Sequence, residues 1–365
     1  MTYQKTALIT GIAGQDGVYL AEFLLGKGYA VHGLVRWDSY SDPEEGLGRL
    51  ARAGLLDGRV TLHTGDLTDC MAVAALLKVV RPQEIYNLAA LSQVHVSFAT
   101  PASTFDINTK GVLGLLEALR LLDMQGDVRV YQASSSEMFG SAPAPQNEET
   151  PFEPCSPYGT AKLASYWLAR TYRDSYGIHV SNGILFNHES PVRGEDFVTR
   201  KITRAVTAIE AGGRDVLRLG NLDSIRDWGH ARDYVEGMWL MLQQKAPGDY
   251  VLATGQAHTV REFVSCAFDL CGVQVSWRGC GAEEVGLDAR SGRLLVQVDP
   301  ALFRPKDVHY LLGDASKARA ALGWAPRYYF KDLVADMVAA DRALLSVEAP
   351  GQQDERGRVL WMKAG

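Results

Sequence analysis

The first 27 residues constrain the fold more than any other stretch. An apolar run, Thr6-Ala7-Leu8-Ile9-Thr10, leads into Gly11-Ile12-Ala13-Gly14-Gln15-Asp16-Gly17, and a helix-period segment follows from Val18 to Lys27. A Gly-x-x-Gly-x-x-Gly turn placed between a strand and a helix lets the backbone approach a pyrophosphate and aims the helix N-terminus at it. The bare glycine spacing occurs in many turns. The strand before it and the helix after it supply the context that points to dinucleotide binding.

The pattern then repeats as strand and helix. Apolar runs at Ala30–Val35, Val60–Thr64, Glu84–Leu88, Val128–Ala133 and Val180–Phe186 predict strands, and Cys70–Val80, Thr104–Leu122 and Pro157–Tyr176 predict helices. Such alternation predicts an α/β fold, a doubly wound parallel Rossmann-type sheet with helices on both faces. At 365 residues the chain exceeds one small domain, so a smaller, mostly C-terminal substrate-binding lobe is expected. We place the sheet domain at residues 1–186, with a later segment near 225–255 returning to it, the lobe mainly at 187–345, and a weakly ordered tail at 346–365. In the second half Phe197–Ala211, Ala231–Gln244, Thr259–Leu270, Ser316–Leu322 and Phe330–Leu345 read as helices. Asp215–Leu219 and Tyr250–Ala253 read as strands, and Gly279–Asp299 as a loop or hairpin.

Composition narrows the partners. Lys plus Arg is 37 against 43 Asp plus Glu, a net charge of −6, which suits neither a nucleic-acid binder nor one for an anionic membrane. No stretch reaches the roughly 20 apolar residues of a spanning helix, and the start lacks a signal-peptide pattern, so a cytoplasmic location is expected. The five cysteines form no Cys-x-x-Cys pair; reduced, mostly buried thiols are expected, and no metal.

Cofactor type turns on the end of the second strand. An acidic residue there favours NAD, whereas an arginine can neutralise the extra phosphate of NADP. Arg36 holds that place, with Asp38 two residues later, so NADP is expected over NAD. Asp66, after the third strand, is either an adenine contact or a cap for the next helix.

Tyr158 and Lys162 are spaced Tyr-x-x-x-Lys, which on a helix puts phenol and ammonium on one face. A cation beside the phenol, with a positive nicotinamide, lowers its pKa and suits it to remove a hydroxyl proton during hydride transfer. Ser156-Pro157 makes a good helix start just before it. Ser134-Ser135-Ser136-Glu137 ends a predicted strand, where open α/β sheets place their sites. From spacing alone two readings stand. The serines can cap a turn beside a solvated glutamate, or a hydroxyl can hold a substrate oxygen while Glu137 acts as acid and base for elimination of water.

Together with Asn87-Leu88-Ala89-Ala90, these motifs resemble the extended short-chain dehydrogenase/reductases that modify nucleotide sugars. Longer strings are similar to the GDP-mannose 4,6-dehydratase family: Gly14-Gln15-Asp16-Gly17, Gly183-Ile184-Leu185-Phe186-Asn187-His188-Glu189-Ser190-Pro191, Phe197-Val198-Thr199-Arg200-Lys201, Arg226-Asp227-Trp228-Gly229-His230 and Phe303-Arg304-Pro305. The resemblance runs from about Thr6 to about Leu345. It implies a redox-neutral cycle with tightly bound NADP: oxidation of the sugar at C4 with Tyr158 as base, loss of water across C5 and C6 through Glu137, and reduction at C6. It places Ser135 on the reacting oxygen, in the position where the family usually has threonine, and Lys162 on the nicotinamide ribose.

Matching positions imply cofactor contacts from Gly11, Ile12, Gly14, Gln15, Asp16, Gly17, Arg36, Asp66, Leu67, Leu88, Ala89, Ala90, Tyr158, Lys162, His188 and Arg193. They imply substrate contacts from Ser92, Asn187, Lys201, Arg226, Arg304 and Asp307. Asp307 replaces a glutamate of the family, and Trp37-Asp38 stands where the family continues with arginine and serine. The expected partners are a GDP-sugar and further copies of the chain, as a homodimer or homotetramer. Rival readings are a dehydratase of a GDP-linked manno-heptose, another nucleotide-sugar epimerase, reductase or decarboxylase, and a silent cofactor sensor. Glu137 speaks against the epimerase and reductase, the GDP-type strings against a UDP-glucuronate decarboxylase, and the intact Tyr158/Lys162 pair against the sensor.

Overall fold

The computed structural model describes residues 4–40, 46–303 and 308–348. Its centre is a seven-stranded, all-parallel sheet. From one edge to the other the strands are Asp249–Leu252, His179–Leu185, Arg129–Ser135, Glu84–Asn87, Thr6–Thr10, Ala30–Val35 and Val60–Thr64. The order reverses between Thr6–Thr10 and Glu84–Asn87, and a doubly wound sheet opens a crevice at the carboxyl ends of such a pair.

The glycine turn stands at that switch point. The Thr10 hydroxyl donates to Asn87 Oδ1 at 2.6 Å and accepts from the Leu88 and Ala89 N–H groups at 3.1 Å. Gly11 has φ +69°, and a Cβ there would sit 2.9 Å from Ala89 Cα. Both demands exclude a side chain.

Burial explains why these strands read as apolar runs. One face of the sheet packs against helices Gln15–Gly26, Ala231–Gln243 and Ser316–Leu322. The other packs against Cys70–Val80, Gly111–Leu121 and Pro157–Tyr176. A separate core, including Phe263, Phe268, Leu333 and Met337, fills the smaller lobe. There helices Val198–Glu210, Val260–Leu270 and Phe330–Glu348 cover a four-stranded sheet. Truncating a buried Phe of that core costs about 3–5 kcal/mol.

Several boundaries differ from expectation for identifiable reasons. The first helix begins at Gln15, because Gly14 is its N-cap. The predicted helix Thr104–Leu122 is three pieces, Pro101–Phe105, a π-helical turn Asp106–Lys110, and Gly111–Leu121. Gly279–Asp299 contains a hairpin of Val285–Asp288 and Leu294–Val298. The last helix runs through Glu348, so residues 346–348 are helical, and the remainder of the expected tail lies outside the described residues. The cysteines are not mostly buried: Cys70 and Cys280 are exposed and the other three are intermediate. Among the described residues no helix is long and apolar enough to cross a membrane.

Candidate active site

A cleft of about 600 Å³ opens along the carboxyl edge of the sheet. One wall is the sheet itself. The strand Arg129–Ser135 delivers Ser135 and Glu137 into the cleft, and the following helix Pro157–Tyr176 delivers Tyr158 and Lys162.

Of the first reading of the serine–glutamate segment, the cap is present and the solvated glutamate is not. Ser135 does cap a turn, its Oγ accepting from the Glu137 N–H at 3.2 Å. Glu137, however, is not solvated. It is 8% exposed and lines the cleft, where a carboxylate has little water to compete with. Gly159 brings the tyrosine helix close, since a Cβ there would meet Glu137 O at 2.6 Å. Ser156 caps that helix by accepting from Gly159 N–H at 3.0 Å, with Pro157 at its first position.

The Tyr158–Lys162 pair is buried. Burial pushes the Tyr158 phenol up to about 12, and a hydrogen bond with Ser135 works against that rise. Burial also pulls Lys162 down to about 8. The Lys162 ammonium does not point at the phenol. It donates to Ala133 O at 2.8 Å and lies 5.8 Å from the Tyr158 ring centroid. For the chain alone desolvation is the largest influence on the phenol, and Ser135 and Arg193 oppose it.

The residues at the glycine turn fit a dinucleotide. Gly14 caps the helix Gln15–Gly26 without any side-chain bond, which leaves the first-turn N–H groups to an anion. Gly17 lets the turn fold tightly onto that helix, a Cβ there falling 2.4 Å from Ile12 O. Asp16 lines the cleft and is bonded by His188 Nε2 at 2.8 Å, while His188 Nδ1 meets Phe186 O at 2.8 Å. Although burial opposes it, the Asp16 carboxylate raises the His188 pKa, and His188 in turn holds Asp16 below the usual range. Gln15 bridges the same region, donating to His188 O at 3.0 Å and accepting from Ser190 at 2.8 Å. Arg193 pairs with Glu189 at 3.0 Å and lies over the Phe197 ring at 3.5 Å.

At the sheet's far side Arg36 emerges from its strand exposed and ion-paired to Asp38 at 2.9 Å. Asp66 accepts from the Thr68 N–H and hydroxyl at 2.8 and 2.7 Å, and the next helix is capped by Asp69 instead. Despite partial burial, those bonds hold Asp66 below the ordinary carboxylate range, with the Arg36 charge adding to them. Leu88 and Ala90 line the cleft, whereas the Leu67 side chain is buried in the helix layer, leaving only its backbone for a ligand.

The facing wall comes from the lobe. Asn187, Lys201 and Arg226 all line it, from the strand Asn187–Glu189, the helix Val198–Glu210 and the strand Ile225–His230. Asn187 Oδ1 is buried without a hydrogen-bond partner, a position that calls for a donor from a ligand. Ser92 lines the cleft as well. Arg304 and Asp307 lie outside the described residues.

Sequence reading missed part of the lining, notably Gln93, His95, Asp196 and Ser224. Gln93 donates to Asp196 Oδ2 at 3.0 Å and so ties the sheet side to the lobe side. Asn108 was also missed. It sits in the π-helical turn and pairs with the Leu91 backbone through both amide atoms, at 2.8 and 3.0 Å. A π turn inside a helix has no simple sequence signature, although such turns gather at functional sites.

Comparison with known proteins matches this geometry. A family model described as GDP-mannose 4,6 dehydratase matches residues 8–337. A GDP-mannose 4,6-dehydratase of Sinorhizobium fredii strain HH103 is 53% identical over 346 residues, covering 94% of this chain and 99% of that one. The human GDP-mannose 4,6 dehydratase is 49% identical over 353 residues, covering 94% and 92%. Among solved structures, the NAD complex of UDP-glucose 4-epimerase from Thermus thermophilus is similar with a TM-score of 0.75 at 25% identity, covering 92% of this chain and 99% of that one. The NAD complex of a dTDP-glucose 4,6-dehydratase from Bacillus anthracis gives 0.74 at 21% identity over 92% and 96%, a likeness of fold.

Proposed function

Because this chain belongs to the GDP-mannose 4,6-dehydratase family, we propose that it converts GDP-D-mannose to GDP-4-keto-6-deoxy-D-mannose. The observation that carries the reading is the placement of Ser135, Glu137 and Tyr158 together on one wall of the cleft, opposite Asn187, Lys201 and Arg226. Elimination needs a base for a C–H proton and an acid for the departing oxygen, and one buried carboxylate can serve as both in turn.

In this proposal the sugar enters with C4 toward Tyr158 and Ser135. The Ser135 hydroxyl holds O4, and the Tyr158 phenolate takes the O4 proton. Bound NADP would supply, in its oxidised form, a hydride acceptor for C4 and a positive charge beside the phenol, and, in the reduced form so produced, a hydride donor for C6. That charge opposes the burial that raises the phenol to about 12. Glu137 removes the C5 proton, acidified by the new ketone, and gives a proton to the C6 hydroxyl as water leaves. When C6 takes back the hydride, C5 takes a solvent-exchanged proton, which balances the one Tyr158 drew from O4. Lys162 orients the nicotinamide ribose. Lys201 and Arg226 receive the two phosphates, for which arginine offers a bidentate fork. Closing the cleft over the sugar excludes bulk water from the elimination.

The glycine turn and the residues Asp16, His188 and Arg193 are assigned to the cofactor. Arg36, directly after the second strand, favours NADP. The working division is a sheet domain, residues 1–186 with a segment near 225–255 returning to it, and a lobe mainly in 187–345 for the nucleotide sugar, with residues of each reaching across the cleft. Assembly as a homodimer or homotetramer belongs to the same proposal; Trp167 and Tyr176, exposed on the catalytic helix, supply apolar surface for it.

Mass spectrometry of the enzyme with GDP-mannose in deuterated water tests the reaction. The expected product has lost one water, carries one non-exchanging deuterium at C5 and leaves no net NADPH. Water loss from a GDP-manno-heptose alone would move the substrate, and none from either sugar would defeat the proposal.

A further inference from the structure

The first turn of the tyrosine helix leaves one buried donor that its own cap does not satisfy. Pro157 has no N–H, the Gly159 N–H goes to Ser156 Oγ at 3.0 Å, and the Thr160 N–H goes to Ser156 O at 3.0 Å. The Tyr158 N–H instead crosses to another element and donates to Ser97 Oγ at 3.2 Å. Ser97 is 1% exposed, and its hydroxyl proton is committed to Val94 O at 2.6 Å. Its lone pairs are thus oriented toward Tyr158, with no rotor left to turn away.

Ser97 belongs to the short helix Val94–Ala99, whose leading residues face the cleft. Ser92, Gln93, Val94 and His95 all line the cleft. The other end of this segment is pinned too, since Leu91 is held through its N–H and carbonyl by Asn108, at 2.8 and 3.0 Å. A water or a longer capping side chain would satisfy the Tyr158 N–H equally well as bookkeeping. Here the acceptor comes from the segment that lines the cleft.

We infer that Ser97 is a positioning residue, which couples the ligand-facing segment Ser92–His95 to the backbone of Tyr158 and so sets the phenol's place relative to Ser135 and Glu137. The inference rests on the reading of Tyr158 as the base at O4. A ligand pressed against Ser92–His95 shifts a helix of one and a half turns, and the Ser97 bond carries that shift to the catalytic residue. Misplacement of a reacting group by about 1 Å costs up to about 100-fold in rate.

The test compares the parent holoenzyme, loaded with NADP⁺, with Ser97→Ala and Ser97→Thr. In Ser97→Ala we expect kcat to fall about tenfold with KM for GDP-mannose within about twofold, and Ser97→Thr to recover at least about half of the parental kcat. A second readout needs no substrate. With ring-carbon-labelled tyrosine, the Tyr158 signal is assigned by its loss in Tyr158→Phe and followed through a pH titration of the holoenzyme. We expect it to move or broaden in Ser97→Ala and to return in Ser97→Thr. A Tyr158 signal and kcat unchanged in Ser97→Ala would overturn the inference, as would a drop in melting temperature with an unchanged Tyr158 signal. If Ser97→Ala does not fold, Ser97→Cys keeps the volume with a weaker acceptor and carries the same comparison. If the parent fails to dehydrate GDP-mannose, the proposed function falls while the Tyr158 titration still decides the role of Ser97.

Discussion

The two walls of the cleft are held in place in different ways. On the sheet side, Ser135 closes a strand paired along its length with His179–Leu185 and over Arg129–Gln132 with Glu84–Asn87, and Tyr158 and Lys162 ride a 20-residue helix capped by Ser156. Those side chains are held by regular elements whose pattern is legible in the sequence. On the lobe side, Asn187 sits on a three-residue strand and Arg226 on a strand that pairs with it and with Ala257–Thr259. Lys201 depends on a helix anchored through its neighbours, Thr199 donating to Glu189 at 2.7 Å and Arg200 pairing with the buried Asp341 at 2.9 Å. Asp341 lies far along the chain, on the last helix. The contrast predicts that the proposed chemistry and the proposed nucleotide recognition can be perturbed separately, the first through regular elements of the sheet domain and the second through a lobe assembled from short, distant segments.

The sharpest way to break this division is Glu137→Gln. It keeps the shape of the side chain and removes the proton acceptor, so kcat should fall by about 10²–10⁴ with the fold intact. Full water loss by the variant, followed by mass spectrometry, would remove Glu137 from its role. On the other wall Arg226→Ala should raise KM for GDP-mannose about 10- to 100-fold with kcat within a few-fold, since a hydrogen-bonded charge is lost from a diphosphate contact. Titration calorimetry with GDP would show the same loss, and a kcat defect with unchanged GDP affinity would erase the distinction between the walls.

A smaller effect is expected at Arg36. Its guanidinium is exposed and shared with Asp38, which tempers its pull on a phosphate. Arg36→Ala should weaken NADP⁺ by about tenfold and NAD⁺ by less than about twofold, measured as dissociation constants. Equal losses for the two cofactors would count against a phosphate contact.

The least effect is on stability, at His179, which begins a strand of the sheet. Burial, with Arg129 and Arg173 nearby, pulls its pKa down to about 4 from an ordinary 6.5. Between those values the unfolded chain binds a proton that the folded one does not, so stability falls as pH falls from 6.5 toward 4. His179→Gln should flatten that slope by on the order of 1–2 kcal/mol, allowing for partial exposure. Urea midpoints across this range would check it, and an undiminished slope would assign the acid loss elsewhere.

Legibility in the sequence followed the same division. Strands Thr6–Thr10, Ala30–Val35 and Val60–Thr64 and helices Cys70–Val80 and Pro157–Tyr176 lie where periodicity and caps put them. Buried parallel strands are continuous apolar runs, and the caps are local. The strands Asn187–Glu189, Ile225–His230 and Ala257–Thr259 left no such trace. They are short and polar, as in Arg226-Asp227, and exist because distant segments pair. The buried Asp227 shows why: its carboxylate accepts from the Thr254 and Gly255 N–H groups at 2.8 Å, a junction that no local pattern announces.

By itself the sequence determined the strands and helices of the sheet domain and the glycine turn after its first strand, and it named the residues offered for chemistry, because apolar runs, caps and a strand–glycine–helix pattern are local signatures. Only the tertiary structure decided how those residues are poised. Burial raised Tyr158 and aimed Lys162 at Ala133 O instead of the phenol, and the fold brought Ser97 beneath the tyrosine helix. Desolvation and hydrogen-bond partnership are set by everything that surrounds a side chain, and most of those surroundings arrive from elsewhere in the sequence.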